Sequence, residues 1–187
     1  RYGRDLQNEL PEVDLFTGTD GFQDIARLIR KATEGKGVLV DLRSAEYLMD
    51  SSVPRRLSTL PSRSYLKITE GCDNRCSYCL IPSIRGRLRS RSIGDLTIEA
   101  RRLEEIGVRE LTLIGQDLTA YGSDLHAGST LVGLLESLLR ETTIPWLRLL
   151  YLYPTGISDE LLALMAREER IVPYLDIPLQ HVSDPVL

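Results

Sequence analysis

The thiol chemistry of this chain is confined to one short run, Glu70-Gly71-Cys72-Asp73-Asn74-Arg75-Cys76-Ser77-Tyr78-Cys79, which holds all three of its cysteines. Thiolates are soft donors for iron and zinc, and three of them spaced CxxxCxxC on one loop can converge on a single metal centre. The number three is informative. A cube of four irons held by three thiolates keeps one iron without a protein ligand, and that iron is open to a substrate. An electron-transfer cluster of the ferredoxin type uses four cysteines, and there is no fourth here. A structural zinc site is closed by four ligands, so His126 or His181 would have to return from far down the chain. Inert buried thiols have no reason to gather on a loop that also carries Asp73, Asn74 and Arg75.

Three further groups suit chemistry. Arg85, Arg87, Arg89 and Arg91 alternate with Gly86, Leu88 and Ser90, so an extended backbone would project all four from one face. They read as a solvated loop, or as cations for a carboxylate substrate or an RNA-rich surface. Gly115, Gln116 and Asp117 follow a predicted strand; Asp117 is either a hydrogen-bond acceptor for a ligand or the acceptor of an Asx turn. Gln180 and His181 end another predicted strand, where a histidine either borders a pocket or is simply satisfied.

The elements that must position these groups follow from periodicity. A weak helix over 2–9 precedes a short strand at Val13, Leu15 and Phe16. Asp20 is placed to cap a helix bearing Phe22, Ile25, Ala26, Leu28 and Ile29 at helical spacing, closed by Gly35 and Gly37. Residues 37–63 hold Gly37, Pro54 and Pro61 among serines, with no sustained period, and read as a linker. From Ser64 the pattern is regular: strand 65–69, helix 93–106, strand 110–114, helix 131–140, strand 146–151, helix 159–167 and strand 174–177. Ser92 with Asp95 has the capping-box form, and Gly107 stands where a glycine closes that helix. Strands alternating with crossover helices are parallel, so the fold class is α/β, either a doubly wound sheet or a segment of a β/α barrel. The cysteine run follows the first strand, at the end where parallel α/β folds place their sites.

Composition sets the outer bounds. With 42% hydrophobic and 27% charged residues the chain is an ordinary globular one, and no apolar run has the length of a membrane-spanning helix. A net charge of −4 argues against a bulk polyanion binder. Clustered rather than dispersed cysteines indicate a reducing compartment, read as the cytoplasm. The first residue, Arg1, and the last, Leu187, both read as cuts within a longer protein.

CxxxCxxC with Tyr78 directly before the last cysteine resembles the signature of the radical S-adenosylmethionine enzymes. The resemblance implies a 4Fe-4S cluster on Cys72, Cys76 and Cys79 whose open iron chelates S-adenosylmethionine. It also implies that Tyr78 lies towards the adenine, the alternative being a core aromatic packed under the loop. With Ile81-Pro82-Ser83-Ile84-Arg85-Gly86 and Arg89-Ser90-Arg91 added, nearly the whole chain is similar to the methylthiotransferases, which insert sulfur into a C–H bond and methylate it. Gly115-Gln116-Asp117-Leu118-Thr119-Ala120-Tyr121-Gly122 and Asp176-Ile177-Pro178-Leu179-Gln180-His181 resemble the RimO type, whose substrate is an aspartate of a small-subunit ribosomal protein. The transfer-RNA adenosine type tends to differ at Asp117 and His181.

That resemblance implies a partial radical-SAM β/α barrel with parallel strands over 64–187. The remnant of an N-terminal α/β methylthiotransferase domain would cover 1–36, and the linker 37–63. It implies that Gly115, Gln116 and Asp117 bind the cofactor, where family members often carry Gly-Gly-Glu. A second 4Fe-4S cluster is expected in the full-length protein, with its ligands outside this sequence, and the expected partners are the ribosomal protein or its subunit and an electron donor. The competing class is a zinc-stabilised RNA-binding module.

Overall fold

The computed structural model describes residues 3–35, 37–58, 60, 62–125 and 128–185. Arg1, Tyr2, Pro61, His126 and Leu187 of the sequence reading lie outside them. The chain forms two compact units, one made of the chain up to Tyr47 together with Gly71–Arg87, the other of Leu48–Glu70 and everything from Leu88 onward. The cysteine-bearing segment groups with the N-terminal residues.

In the first unit, helix α1 (Gly3–Glu9) leads to strand β1 (Leu15–Thr17), helix α2 (Ile25–Glu34) and strand β2 (Leu39–Asp41). β1 and β2 pair in parallel with Leu15 opposite Leu39 and Thr17 opposite Asp41. The expected linker therefore contains a strand, too short at three residues to show a period. Asp20 does not cap α2. A 3-10 turn over Thr19–Asp24 intervenes, and the Asp20 carboxylate instead accepts from the N–H groups of Glu46 (2.6 Å) and Tyr47 (2.8 Å). Of the apolar residues expected on this helix only Leu28 is buried; Phe22, which lies in the 3-10 turn, and Ile25 and Ile29 on α2 are exposed. Helix α3 (Ile81–Arg85) follows the cysteines.

The second unit is built on a three-stranded parallel sheet of order β3-β6-β7, with β3 at Arg63–Lys67, β6 at Glu110–Ile114 and β7 at Trp146–Leu149. A two-residue antiparallel ladder joins β4 (Thr69–Glu70) to β5 (Arg89–Ser90). Helices α4 (Ile93–Glu105), α5 (Leu131–Glu141) and α6 (Asp159–Arg167) alternate with the strands, as the periodicity predicts. Each starts on a hydroxyl: Ser92 accepts from Asp95 N–H, Thr130 from Gly133 and Ser158 from Leu161, satisfying amides the first helical turn leaves open. At the end of α4, Gly107 takes φ +94, and Val108 N–H donates to the Leu103 carbonyl at 3.0 Å while Gly107 N–H donates to Glu104 at 2.8 Å. This is a Schellman closure.

Leu66, Leu111, Leu113, Leu147 and Leu149 of the strands share one core with Leu96, Leu103, Leu134, Leu135, Leu138, Leu161 and Leu164 of the helices. Each such side chain contributes about 1.5–3 kcal/mol on burial. On the edge strands the alternate residues Tyr65 and Trp146 are exposed, whereas Thr112 on the central strand is buried. The expected strand at 174–177 is not formed. The chain makes one parallel bridge, Leu147 with Ile171, and then turns at Pro173, which has no N–H to extend a ladder; Tyr174 N–H donates back to the Val172 carbonyl at 2.7 Å.

Candidate metal centre

The cysteine loop is the excursion of the chain between β4 and β5. All three cysteines are partly buried. The loop is folded by its own backbone: Cys72 N–H donates to the Gly86 carbonyl (3.2 Å) and Cys79 N–H to the Cys76 carbonyl (3.0 Å). Two sulfurs accept from amides, Cys72 Sγ from Asn74 N–H at 3.4 Å and Cys79 Sγ from Ile81 N–H at 3.5 Å. N–H groups aimed at sulfur tune a bound cluster. Asp73 is taken up by an ion pair with the exposed Arg87 at 3.1 Å. Among the described residues no three Cys, His, Asp or Glu side chains stand close enough together to hold a metal ion. The donor type, thiols with amide N–H groups on two of the sulfurs, is that of an iron–sulfur site, although the donors are not drawn together here. Tyr78 is 67% exposed, which removes the reading of it as a core aromatic.

The parallel pairing of β3 with β6 brings the residues that follow each strand to one C-terminal edge. There Gly115 lies against Thr69 so closely that a Cβ on Gly115 would come within 2.3 Å of Thr69 Oγ1. Gln116 is exposed. Asp117 is 6% exposed, and its Oδ1 accepts from Thr119 N–H (2.9 Å) and Thr119 Oγ1 (2.5 Å), the Asx arrangement. His181 is exposed, its Nδ1 accepting from Ser183 N–H at 2.9 Å, and Gln180 Nε2 donates to the Pro178 carbonyl. With no strand there, neither residue ends a strand, and both make contacts local to their turn.

The four arginines do not share one face. Arg85 ends α3, and Gly86 at φ +75 breaks the extended register. Arg91 is buried, with Nη2 2.7 Å from Asp95 Oδ2 and Nη1 2.6 Å from Glu99 Oε2, and it donates to the Lys67 carbonyl at 3.1 Å. Asp95 and Glu99, one turn apart on α4, are the signal the alternation argument missed. Sequence reasoning also missed Tyr151, the one non-glycine among the described residues with positive φ, at 66°. Nothing in the residue type announces it.

Residues 66–187 match the Radical SAM superfamily. The chain belongs to that superfamily. Radical SAM membership agrees with the parallel α/β unit, and so do solved structures. A radical S-adenosylmethionine methyltransferase, TsrM of Kitasatospora setae with tryptophan substrate and the SAM analogue aza-SAM bound, superimposes with TM-score 0.54 at 21% identity, covering 74% of this chain and 27% of that one. Among curated relatives, the ribosomal protein uS12 methylthiotransferase RimO of Desulfotalea psychrophila is 54% identical over 187 residues, all of this chain and 42% of the relative. The protein of the same name from Syntrophus aciditrophicus is 51% identical over 190 residues, again 100% of this chain and 42% of the relative. The chain thus spans about two fifths of their length. Among the described residues no helix is long and apolar enough to cross a membrane.

Proposed function

We propose that this chain is part of a radical S-adenosylmethionine methylthiotransferase that adds a methylthio group to the β-carbon of an aspartate in ribosomal protein uS12. The observation that carries the reading is identity of 54% across the whole chain to a relative of that name, joined to a three-thiol loop that leaves one iron of a cluster open. A 4Fe-4S cluster with S-adenosylmethionine supplies, when bound, the one-electron chemistry needed at an unactivated C–H bond. The protein's part is to hold and orient. Cys72, Cys76 and Cys79 ligate the cluster, and the amides of Asn74 and Ile81 support two of the sulfurs. Tyr78, Gly115, Gln116 and Asp117 border the cofactor, with Gly115 keeping the edge beside Thr69 narrow.

In this reading 64–187 belongs to the radical-SAM core, 1–36 to the end of an N-terminal methylthiotransferase domain, and 37–63 joins them. The full-length protein carries a second cluster, takes electrons from a cytoplasmic donor and acts on the ribosomal protein or the subunit that holds it.

The test is anaerobic reconstitution of the full-length protein, with iron, sulfide and zinc measured, electron paramagnetic resonance with and without S-adenosylmethionine, and mass spectrometry of a uS12 peptide after turnover. Triple replacement of Cys72, Cys76 and Cys79 by alanine is expected to remove about four irons per chain and the cofactor-sensitive signal. Stoichiometric zinc without that signal supports the zinc-stabilised module instead, and modification of transfer RNA but not peptide supports the adenosine enzyme.

A further inference from the structure

Tyr151 lies just past β7, on the C-terminal edge of the parallel sheet that also carries Thr69 and Gly115–Asp117 along its strand ends. Parallel α/β folds build their sites on this edge. Its backbone is left-handed, φ 66°, a conformation that a bulky L residue adopts only when its surroundings impose it. They do so here on both sides. Tyr151 N–H donates to Asp176 Oδ2 at 3.1 Å, and its carbonyl accepts from Leu118 N–H at 2.9 Å. Leu152 N–H donates to the Asp176 carbonyl, also at 2.9 Å. Leu118 directly follows Asp117, so the turn that engages the Asp117 carboxylate also fixes Tyr151.

The side chain is not a core residue: it is 50% exposed. Glycine, asparagine or aspartate would occupy the same turn with less strain. Strain retained for an exposed aromatic, on the edge where the site is built, points to use of that aromatic. A phenol held this way offers a flat apolar face and a hydroxyl donor, which suits a peptide segment carrying a carboxylate.

We infer that Tyr151 is a contact residue for the aspartate-bearing peptide, held in place by Asp176 and Leu118. This rests on the methylthiotransferase reading above. The experiment uses the full-length protein in its cluster-free and reconstituted forms, with Tyr151→Asn, Tyr151→Gly and Tyr151→Phe. It reads Tm of the cluster-free protein, Kd for a synthetic peptide of the aspartate-bearing uS12 loop, and Kd for S-adenosylmethionine.

For Tyr151→Asn and Tyr151→Gly the expected result is a Tm equal to wild type or higher by about 2 °C. The peptide Kd is expected to weaken about tenfold and the cofactor Kd to stay unchanged. Tyr151→Phe keeps the ring and is expected to lose less than either. A side chain that merely packs would show the opposite sign, a lower Tm with peptide affinity intact, and that result overturns the inference. Equal peptide affinity in wild type, Tyr151→Asn and Tyr151→Gly overturns it as well, and so does a matching loss of cofactor affinity. If the wild-type protein itself does not bind the peptide, it is the underlying functional reading that fails.

Discussion

Gly71 is the residue on which the cysteine loop turns. It sits at φ +73, and a Cβ there would come within 2.1 Å of the Arg87 carbonyl oxygen and 2.6 Å of that of Gly86. Both obstacles are backbone, so no side chain can swing away. Gly71→Ala is expected to cost about 2 kcal/mol or more in urea unfolding and to lower the iron held after reconstitution in the same sample. Gly94→Ala is the matched control, because a Cβ there meets nothing within 4 Å and a helical glycine gains about 0.5–1 kcal/mol on becoming alanine. At this scale the cysteines, the Ser92 cap and Gly107 were legible in the sequence, since spacing and local chemistry suffice for them. Asp20 was not, because its partners lie more than a helix away at Glu46 and Tyr47.

The elements around the loop are tied by charge as much as by leucine. Arg91 leaves β5 and enters α4, where Asp95 and Glu99 receive it. Glu99 also takes Arg55 at 2.7 Å, and Asp95 accepts from Ser51 N–H at 2.7 Å. These contacts fasten the segment after Leu48 to α4, in a stretch with no apolar period to betray it. Burial opposes the charge on Asp95, but the Ser51 hydrogen bonds and Arg91 together hold its carboxyl below the usual carboxylate range. Removing the cation strands two carboxylates in a poorly solvated place. Arg91→Met is therefore expected to cost about 3–5 kcal/mol. Arg101→Ala, which breaks a more exposed pair between Arg101 on α4 and Glu141 on α5, is expected to cost far less; chemical denaturation of the two variants checks the contrast. The missing strand at 174–177 belongs here too: its composition suited a strand, and the preceding Pro173 ended the pairing.

Across the whole molecule the sheet fixes how stability responds to acid. Arg148 on β7 reaches Glu110 on β6 at 2.6 Å and holds its carboxyl below the ordinary 4.5. A depressed folded value adds stability above about pH 4.5 that drains away as pH falls through the lowered value. The stability gap between wild type and Arg148→Met is thus expected to be larger at pH 7 than at pH 3, measured by urea unfolding at both. This pair crosses between strands, so it follows from register and not from any local motif. By itself, the sequence determined where the three thiols lie along the chain, the α/β alternation and the cap and glycine closure of α4, because each depends on residues near one another along the chain. Only the tertiary structure decided that Arg91 turns inward, that Asp117 engages Thr119, that the cysteine segment groups with the N-terminal unit and that Tyr151 is held left-handed. Those outcomes depend on partners brought close by folding, which spacing along a chain does not encode.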